Sequence, residues 1–217
     1  MTLLTPAKPV APVLDRIDAY LDHWAAIRPD SEFLIDGGPS ITGRRLTWAR
    51  TRVEVDRVAA ALVAAGLDRG DRVAYLSDSR LDFFVHFLAA TSVGLIWQGL
   101  NPKYTWSEVA YVVSDAGPRM VFDGVPGGSG GLVDRLVAEI NGVEQSVAVD
   151  TDDWNGFLEA GTAIDTDALA DRRAEVETMD PGFIVYTSGS TGRPKGALLT
   201  HRGVCWCGVT GSTARGG

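Results

Sequence analysis

Short, continuous apolar runs alternate with segments of helical periodicity along most of the chain. Six runs are predicted to be strands: RVAYLS (72–77), GLIWQGL (94–100), RMVFD (119–123), SVAVD (146–150), GFIVYT (182–187) and GALLTH (196–201). Short apolar strands separated by helices are typical of a parallel sheet that is covered on both faces. The pattern therefore predicts an α/β fold, a layered, parallel-rich sheet flanked by helices, in which ligands bind where strands end in polar or glycine-rich turns.

The segments ahead of and between these runs place apolar residues at helical spacing. Five are predicted to be helices: LDRIDAYLDHWAAI (14–27), LTWARTRVEVDRVAAALVAAGL (46–67), RLDFFVHFLAATSV (80–93), TWSEVAYVVSDA (105–116) and LVDRLVAEI (132–140). Thr47 is a candidate N-cap, and Thr105 with Glu108 three positions on predicts a capping box. EFLID (32–36) is predicted to be a short strand. The acidic stretch 150–180 is predicted to be a solvated surface segment with a short helix near 166–177.

One uncharged stretch, FFVHFLAATSVGLIWQGLNP (83–102), has close to the ~20 residues that a bilayer requires. It contains His86, Gln98, Asn101 and Pro102, and Gly94 divides it into a helix-like half and a strand-like half. A buried helix followed by a buried strand is therefore favoured over a membrane span.

Composition excludes several classes of function. The chain has 217 residues, a net charge of −8 and a pI near 4.8, and its basic residues are scattered, which argues against a nucleic-acid partner. Cys205 and Cys207 could supply only half of a tetrahedral zinc site, so buried structural thiols are favoured over a metal role. Few cysteines and no signal-peptide pattern indicate a cytoplasmic protein without a membrane span.

The stretch YTSGSTGRPKGALLTH (186–201) concentrates small polar residues and one lysine behind a predicted strand. Such a turn exposes backbone N–H groups in an anion-binding concavity, and its hydroxyls and ammonium group suit a triphosphate or pyrophosphate. The Walker loop differs from it, because there lysine follows glycine directly and a helix begins at once. A serine- and glycine-rich hairpin without any ligand remains an alternative on the residue types alone.

The same stretch resembles the phosphate-binding signature of the adenylate-forming superfamily, which includes acyl-CoA synthetases, adenylation domains of peptide synthetases and luciferases. Residues 46–77 and 94–123 are similar to that family's first helices and strands. The resemblance covers the chain from about Asp18, so we expect a leader over 1–17. Residues 18–217 would then be a partial AMP-binding N-terminal domain that ends shortly after the phosphate loop.

The resemblance implies that a carboxylic acid reacts with ATP, in the presence of Mg²⁺, to give an acyl-adenylate that then passes to a thiol, usually coenzyme A. It also implies the residues that line the β- and γ-phosphates: Thr187, Ser188, Gly189, Ser190, Thr191, Gly192 and Lys195. The turn LNP, which contains Asn101, resembles that of acyl-CoA synthetases, whereas peptide-synthetase domains usually carry Asp at this position. For Asn101 itself, a role in the turn that enters the next helix is favoured over direct substrate contact. The most favoured function is therefore an AMP-forming acid:CoA ligase.

The family's other signatures, including its magnesium ligand, ribose-binding aspartate and acid pocket, are not found in the chain. We therefore expect no catalytic residue and no metal ligand within it, and a truncated or split enzyme that a second polypeptide completes. Asp123 and Asp150 end apolar strands, but a structural role is favoured over metal binding.

The alternative is a truncated, non-catalytic nucleotide-binding or interaction fragment. A variant Walker enzyme is disfavoured because the last 25 residues contain no Asp or Glu. His23 and His86 are expected to be packing residues, and His201 is given no catalytic role.

Overall fold

The computed structural model describes residues 12–36, 43–187 and 193–213. The helices are α1 Ile17–Ile27, α2 Trp48–Ala64, α3 Leu81–Ser92, α4 Trp106–Ala116, α5 Leu132–Glu139, α6 Asp152–Ala160, α7 Thr166–Ala174 and α8 His201–Thr213, with a 3₁₀ turn at Gly161–Ala163. The strands are β1 Glu32–Ile35, β2 Arg45–Thr47, β3 Arg72–Leu76, β4 Ile96–Leu100, β5 Met120–Asp123, β6 Gln145–Ala148, β7 Pro181–Thr187 and β8 Lys195–Thr200.

The main sheet has the strand order β6-β5-β3-β4-β7-β8. Its first five strands are mutually parallel, and β8 returns antiparallel to β7. The predicted α/β fold with a parallel-rich sheet is confirmed. The sequence pattern missed β2, which pairs with β1 in a separate two-stranded ribbon, because three residues are too few to show a period.

Helices cover both faces of the sheet, and β3 shows how one strand serves both. Val73 and Tyr75 face a core built with α2 and α3, whereas Ala74 and Leu76 face a second core built with α4 and α5. All four residues are at most 1% exposed, which explains why the strand reads as an unbroken apolar run rather than as an alternating one.

Local signals position the helices as expected. The Thr47 side chain accepts a hydrogen bond from the Arg50 N–H at 3.2 Å, and the Glu108 carboxylate accepts one from the Thr105 N–H at 2.8 Å. The uncharged stretch forms α3 and β4, so its interpretation as a buried helix and strand is confirmed. Among the described residues, no helix is long and apolar enough to cross a membrane.

The short helix predicted near 166–177 in the acidic stretch is confirmed as α7, and most residues of the stretch are exposed. The sequence pattern did not predict α6, nor that both helices cover part of the first core. Phe157 and Trp154 approach Phe122 with ring centroids at 5.3 and 6.2 Å, and Leu169 is 7% exposed. Its apolar residues are few and spread among acids, so average composition concealed the apolar side of each helix.

The segment after β8 forms α8, which the sequence pattern did not predict. The two cysteines lie in this helix, and the prediction of buried thiols is confirmed for Cys205 and wrong for Cys207. Cys205 is buried, which raises the pKa of its thiol to about 11, whereas Cys207 is exposed. Neighbouring positions in a helix point about 100° apart, so residues two apart rarely share one face.

Candidate phosphate-binding site

The carboxyl ends of the parallel strands meet at one edge of the sheet, and the predicted phosphate loop starts there. β7 runs parallel to β4, so its last residue, Thr187, lies at the same edge as the end of β4. Across the β7–β8 hairpin, Thr187 pairs directly with Lys195, and both residues are exposed. The structure thus brings together two of the predicted phosphate-binding residues. The other five lie outside the described residues: Ser188, Gly189, Ser190, Thr191 and Gly192.

Helix α4 lies against this end of the hairpin. The Tyr186 hydroxyl donates to Asp115 Oδ2 at 2.7 Å, and the Tyr111 hydroxyl donates to the Pro194 carbonyl at 3.0 Å. The Arg193 guanidinium carbon lies 5.6 Å from the centre of the Tyr111 ring. Partial burial raises the pKa of Tyr186, and its hydrogen bond to the Asp115 carboxylate adds to the rise, so the phenol keeps its proton.

A cleft of about 310 Å³ opens at the same edge, between the ends of β3 and β4. The chain leaves β3 for α3 on one face of the sheet and leaves β4 for α4 on the other, so this is a topological switch point. Clefts at such points are the usual ligand sites of open α/β sheets. Ser77 and Asn101 are among its lining residues.

Asp123 and Asp150 have structural partners. The Asp123 carboxylate accepts hydrogen bonds from the N–H groups of Val125 and Ser129, at 3.1 and 2.8 Å, and so fixes the glycine-rich turn that follows β5. Asp150 pairs with the Arg80 guanidinium at 2.8 Å. Within the described part of the chain, no group of three His, Cys, Asp or Glu side chains lies together as a metal site would require.

His201 and His86 make hydrogen bonds to other residues of the protein. His201 follows the last residue of β8, roughly 20 Å of strand from Lys195 at ~3.4 Å per residue. Its Nδ1 accepts the Ile17 N–H at 3.3 Å, and burial lowers its pKa. His86 is buried, and its Nδ1 accepts the Trp97 indole N–H at 3.2 Å. Both contacts are structural.

A family model described as AMP-binding enzyme matches residues 21–215. The chain belongs to this family. Long-chain-fatty-acid–CoA ligase FadD13 of Mycobacterium tuberculosis is 31% identical over 191 residues, which are 88% of this chain and 36% of the relative. 4-Coumarate–CoA ligase 4 of Arabidopsis thaliana is 31% identical over 182 residues, which are 79% of this chain and 30% of the relative.

The fold agrees with this membership. The solved N-terminal domain of FACL13 from Mycobacterium tuberculosis, with an inhibitor bound, superposes with a TM-score of 0.65 at 27% identity. The superposition covers 87% of this chain and 45% of that one. The chain spans about a third of the length of the two curated AMP-binding relatives.

Sequence reasoning missed the two α4 residues that contact the hairpin. Tyr111 and Asp115 are four positions apart and therefore share a face of the helix. That spacing is visible in the sequence, but their partners are 83 and 71 residues away, so no local pattern connects them.

Proposed function

We propose that the chain holds the triphosphate of ATP for an AMP-forming acid:CoA ligase. The observation that carries this proposal is the pairing of Thr187 with Lys195 at the carboxyl edge of the sheet, in a chain that belongs to the AMP-binding family. A hydroxyl and an ammonium group are suitable donors for phosphate oxygens. The resemblance to the family signature adds Ser188, Gly189, Ser190, Thr191 and Gly192 to the proposed site.

In the first step, a carboxylate oxygen of the acid attacks the α-phosphorus of ATP. The bond between that phosphorus and the oxygen that bridges to the β-phosphate breaks, which gives an acyl-adenylate and pyrophosphate. Negative charge develops on the departing pyrophosphate. Donors that surround the β- and γ-oxygens stabilise this charge, and Lys195 would supply a full positive charge there.

In the second step, the thiol sulfur of coenzyme A attacks the acyl carbon, the acyl–oxygen bond breaks, and AMP leaves while the thiol proton is released. The names of the two ligase relatives support coenzyme A as the acceptor. They also name different acids, a long-chain fatty acid and 4-coumarate, so we propose a carboxylic acid as the substrate class and no particular acid.

The low cysteine content supports a cytoplasmic location.

Asn101 adds little support for coenzyme A as the acyl acceptor. Its side-chain oxygen accepts the Lys103 N–H at 2.9 Å, and its carbonyl accepts the Tyr104 N–H. These bonds form the turn that precedes α4, which is the structural role expected of Asn in a turn. Magnesium would accompany ATP. No step of the proposal depends on a metal ligand from the described residues, because no group of three His, Cys, Asp or Glu side chains among them could hold a metal ion.

The test is binding of magnesium-ATP to the purified chain, measured by calorimetry, because the acid pocket and the other catalytic signatures are not found in this chain. Lys195→Ala should weaken the affinity by roughly 10- to 100-fold, because a hydrogen bond to a charged group contributes about 1.5–3 kcal/mol. Lys103→Ala is the matched control, since it removes the same charge from the turn after β4 and should leave the affinity unchanged. Absence of binding, or equal affinities for the two variants, would contradict the proposal.

A further inference from the structure

The hairpin that carries Thr187 and Lys195 extends beyond the part of the sheet that supports it. β7 pairs with β4 only through Phe183 and Ile184. From Val185 onward, β7 pairs with β8 alone among the described strands. An isolated two-stranded ribbon is marginally stable in water, so the end of this hairpin needs support from elsewhere.

Helix α4 provides a contact to each strand of the hairpin. Asp115 accepts the hydroxyl of Tyr186, the residue before Thr187. Tyr111, one helical turn earlier, donates to the carbonyl of Pro194, the residue before Lys195. The two contacts therefore lie within one residue of each proposed phosphate donor, and both start from one face of one helix.

The helix is itself firmly held. Val109, Val112 and Val113 are at most 2% exposed in the second core, and the capping contact between Thr105 and Glu108 fixes the first turn. Contacts from such a helix therefore hold the hairpin at a defined position relative to the core of the sheet. A tyrosine also loses little conformational freedom when it is fixed, because its side chain has only two rotatable bonds before the hydroxyl.

The hairpin leaves space for this arrangement at Gly196. A Cβ atom at that position would lie 3.1 Å from Tyr186 Cζ and 3.2 Å from its hydroxyl oxygen. The Tyr186 ring therefore lies across the backbone of Gly196, which pairs with it and follows Lys195 directly. The hydroxyl that reaches Asp115 is thus fixed in relation to both strands.

We propose that Tyr111 and Asp115 are positioning residues, which hold the hairpin so that Thr187 and Lys195 face the phosphates of ATP. This rests on the proposed function for the identity of the ligand. The positioning itself is a property of the unliganded chain, because all of the contacts that carry it are within the protein.

The first test needs no ligand. Tyr111→Phe and Asp115→Ala each remove one contact, and the backbone amide chemical shifts of Thr187 and Lys195 report the hairpin. Tyr20→Phe is the matched phenol control, since the Tyr20 hydroxyl accepts the Leu14 N–H at 3.2 Å near the start of α1. Asp171→Ala removes an exposed carboxylate from α7. We expect shifts with the first two variants and none with the controls; unchanged shifts in all four would overturn the proposal.

The second test separates positioning from general loss of structure. Affinity for magnesium-ATP, measured by calorimetry, should weaken about three- to tenfold in each α4 variant, the equivalent of one ordinary hydrogen bond. In a Lys195→Ala background, the same substitutions should change affinity less than about twofold, because interacting residues are not additive. An undiminished effect in that background would overturn the proposal. If the unmodified chain does not bind magnesium-ATP, the proposed function fails, and the amide shifts still decide the positioning.

Discussion

Acidification should weaken the fold through His86, a buried titratable side chain whose ring packs against Tyr75 and Phe122 of the first core. It is 1% exposed, and burial lowers its pKa to about 3. The indole N–H of Trp97 can only donate, so His86 Nδ1 must accept and the single proton of the neutral ring lies on Nε2. Within the described structure, Nε2 has no hydrogen-bond partner that could stabilise a positive charge.

The direction and size of the effect follow from proton linkage. The unfolded chain binds a proton at His86 below about pH 6.5, whereas the folded chain resists it down to about pH 3. Stability is therefore complete above pH 6.5 and is lost as the pH falls through that window. Between pH 7 and pH 5, the loss from this residue alone is about 2 kcal/mol of unfolding free energy, at about 1.4 kcal/mol per pKa unit.

His86→Asn isolates this contribution. The asparagine oxygen can accept from Trp97 in place of Nδ1, and the side chain does not titrate, although its smaller volume costs some stability at every pH. Urea unfolding at pH 7 and pH 5 gives the change for each protein. The unmodified chain should lose about 2 kcal/mol more than the variant. Since His201 and the carboxylates contribute equally to both proteins, equal losses would refute the buried, neutral state of His86.

Gly161 and the edge of β8 give two further predictions. A Cβ at Gly161 would lie 2.6 Å from the Ala61 nitrogen, so Gly161→Ala should destabilise the chain by about 1–3 kcal/mol in urea unfolding. Gly156 has open space around it, so Gly156→Ala should stabilise the chain by up to about 1 kcal/mol. Leu198 is 57% exposed on β8, which is an edge strand among the described strands, and an exposed apolar edge favours pairing with a second copy of the chain. We therefore expect the unmodified chain to self-associate in sedimentation velocity and Leu198→Lys to reduce this self-association, whereas Met179→Lys, at a 61% exposed site off the strand, should not. Destabilisation by both alanines, or unchanged sedimentation after Leu198→Lys, would contradict the respective argument.

The sequence predicted the elements whose signals are local and strong. The strands of the main sheet are continuous apolar runs, and Thr47 and Thr105 mark helix starts by caps that act within three residues. It failed where the signal was short or diluted. β2 contains three residues, and α6 in the acidic stretch has only a few apolar residues, such as Trp154 and Phe157, that pack against the first core. Tertiary packing decides such segments, and a single sequence does not show it.

The candidate site divides in the same way. Thr187 and Lys195 were predicted as phosphate-binding residues because the phosphate signature is contiguous; that role stays a prediction, and the structure adds that the two residues pair across a hairpin. The residues that we propose to position them were not predicted. Tyr111 has an unremarkable apolar neighbourhood in the sequence, and Asp115 resembles any exposed acid near a helix end. Their contacts with the hairpin are visible only in the folded chain, where α4 packs beside β8.

The position of the hairpin explains how a substitution could change the proposed ATP affinity without a comparable change in the stability of the fold. Its outer strand, β8, is an edge strand. From Val185 onward, the two strands of the hairpin pair only with each other among the described strands. Such segments open at little cost compared with global unfolding. The contacts from Tyr111 and Asp115 therefore set the geometry of the hairpin end while adding little to the free energy of the core. Substitutions at these two residues should accordingly alter the affinity for magnesium-ATP by a larger factor than the unfolding equilibrium, the opposite of what Gly161→Ala should do.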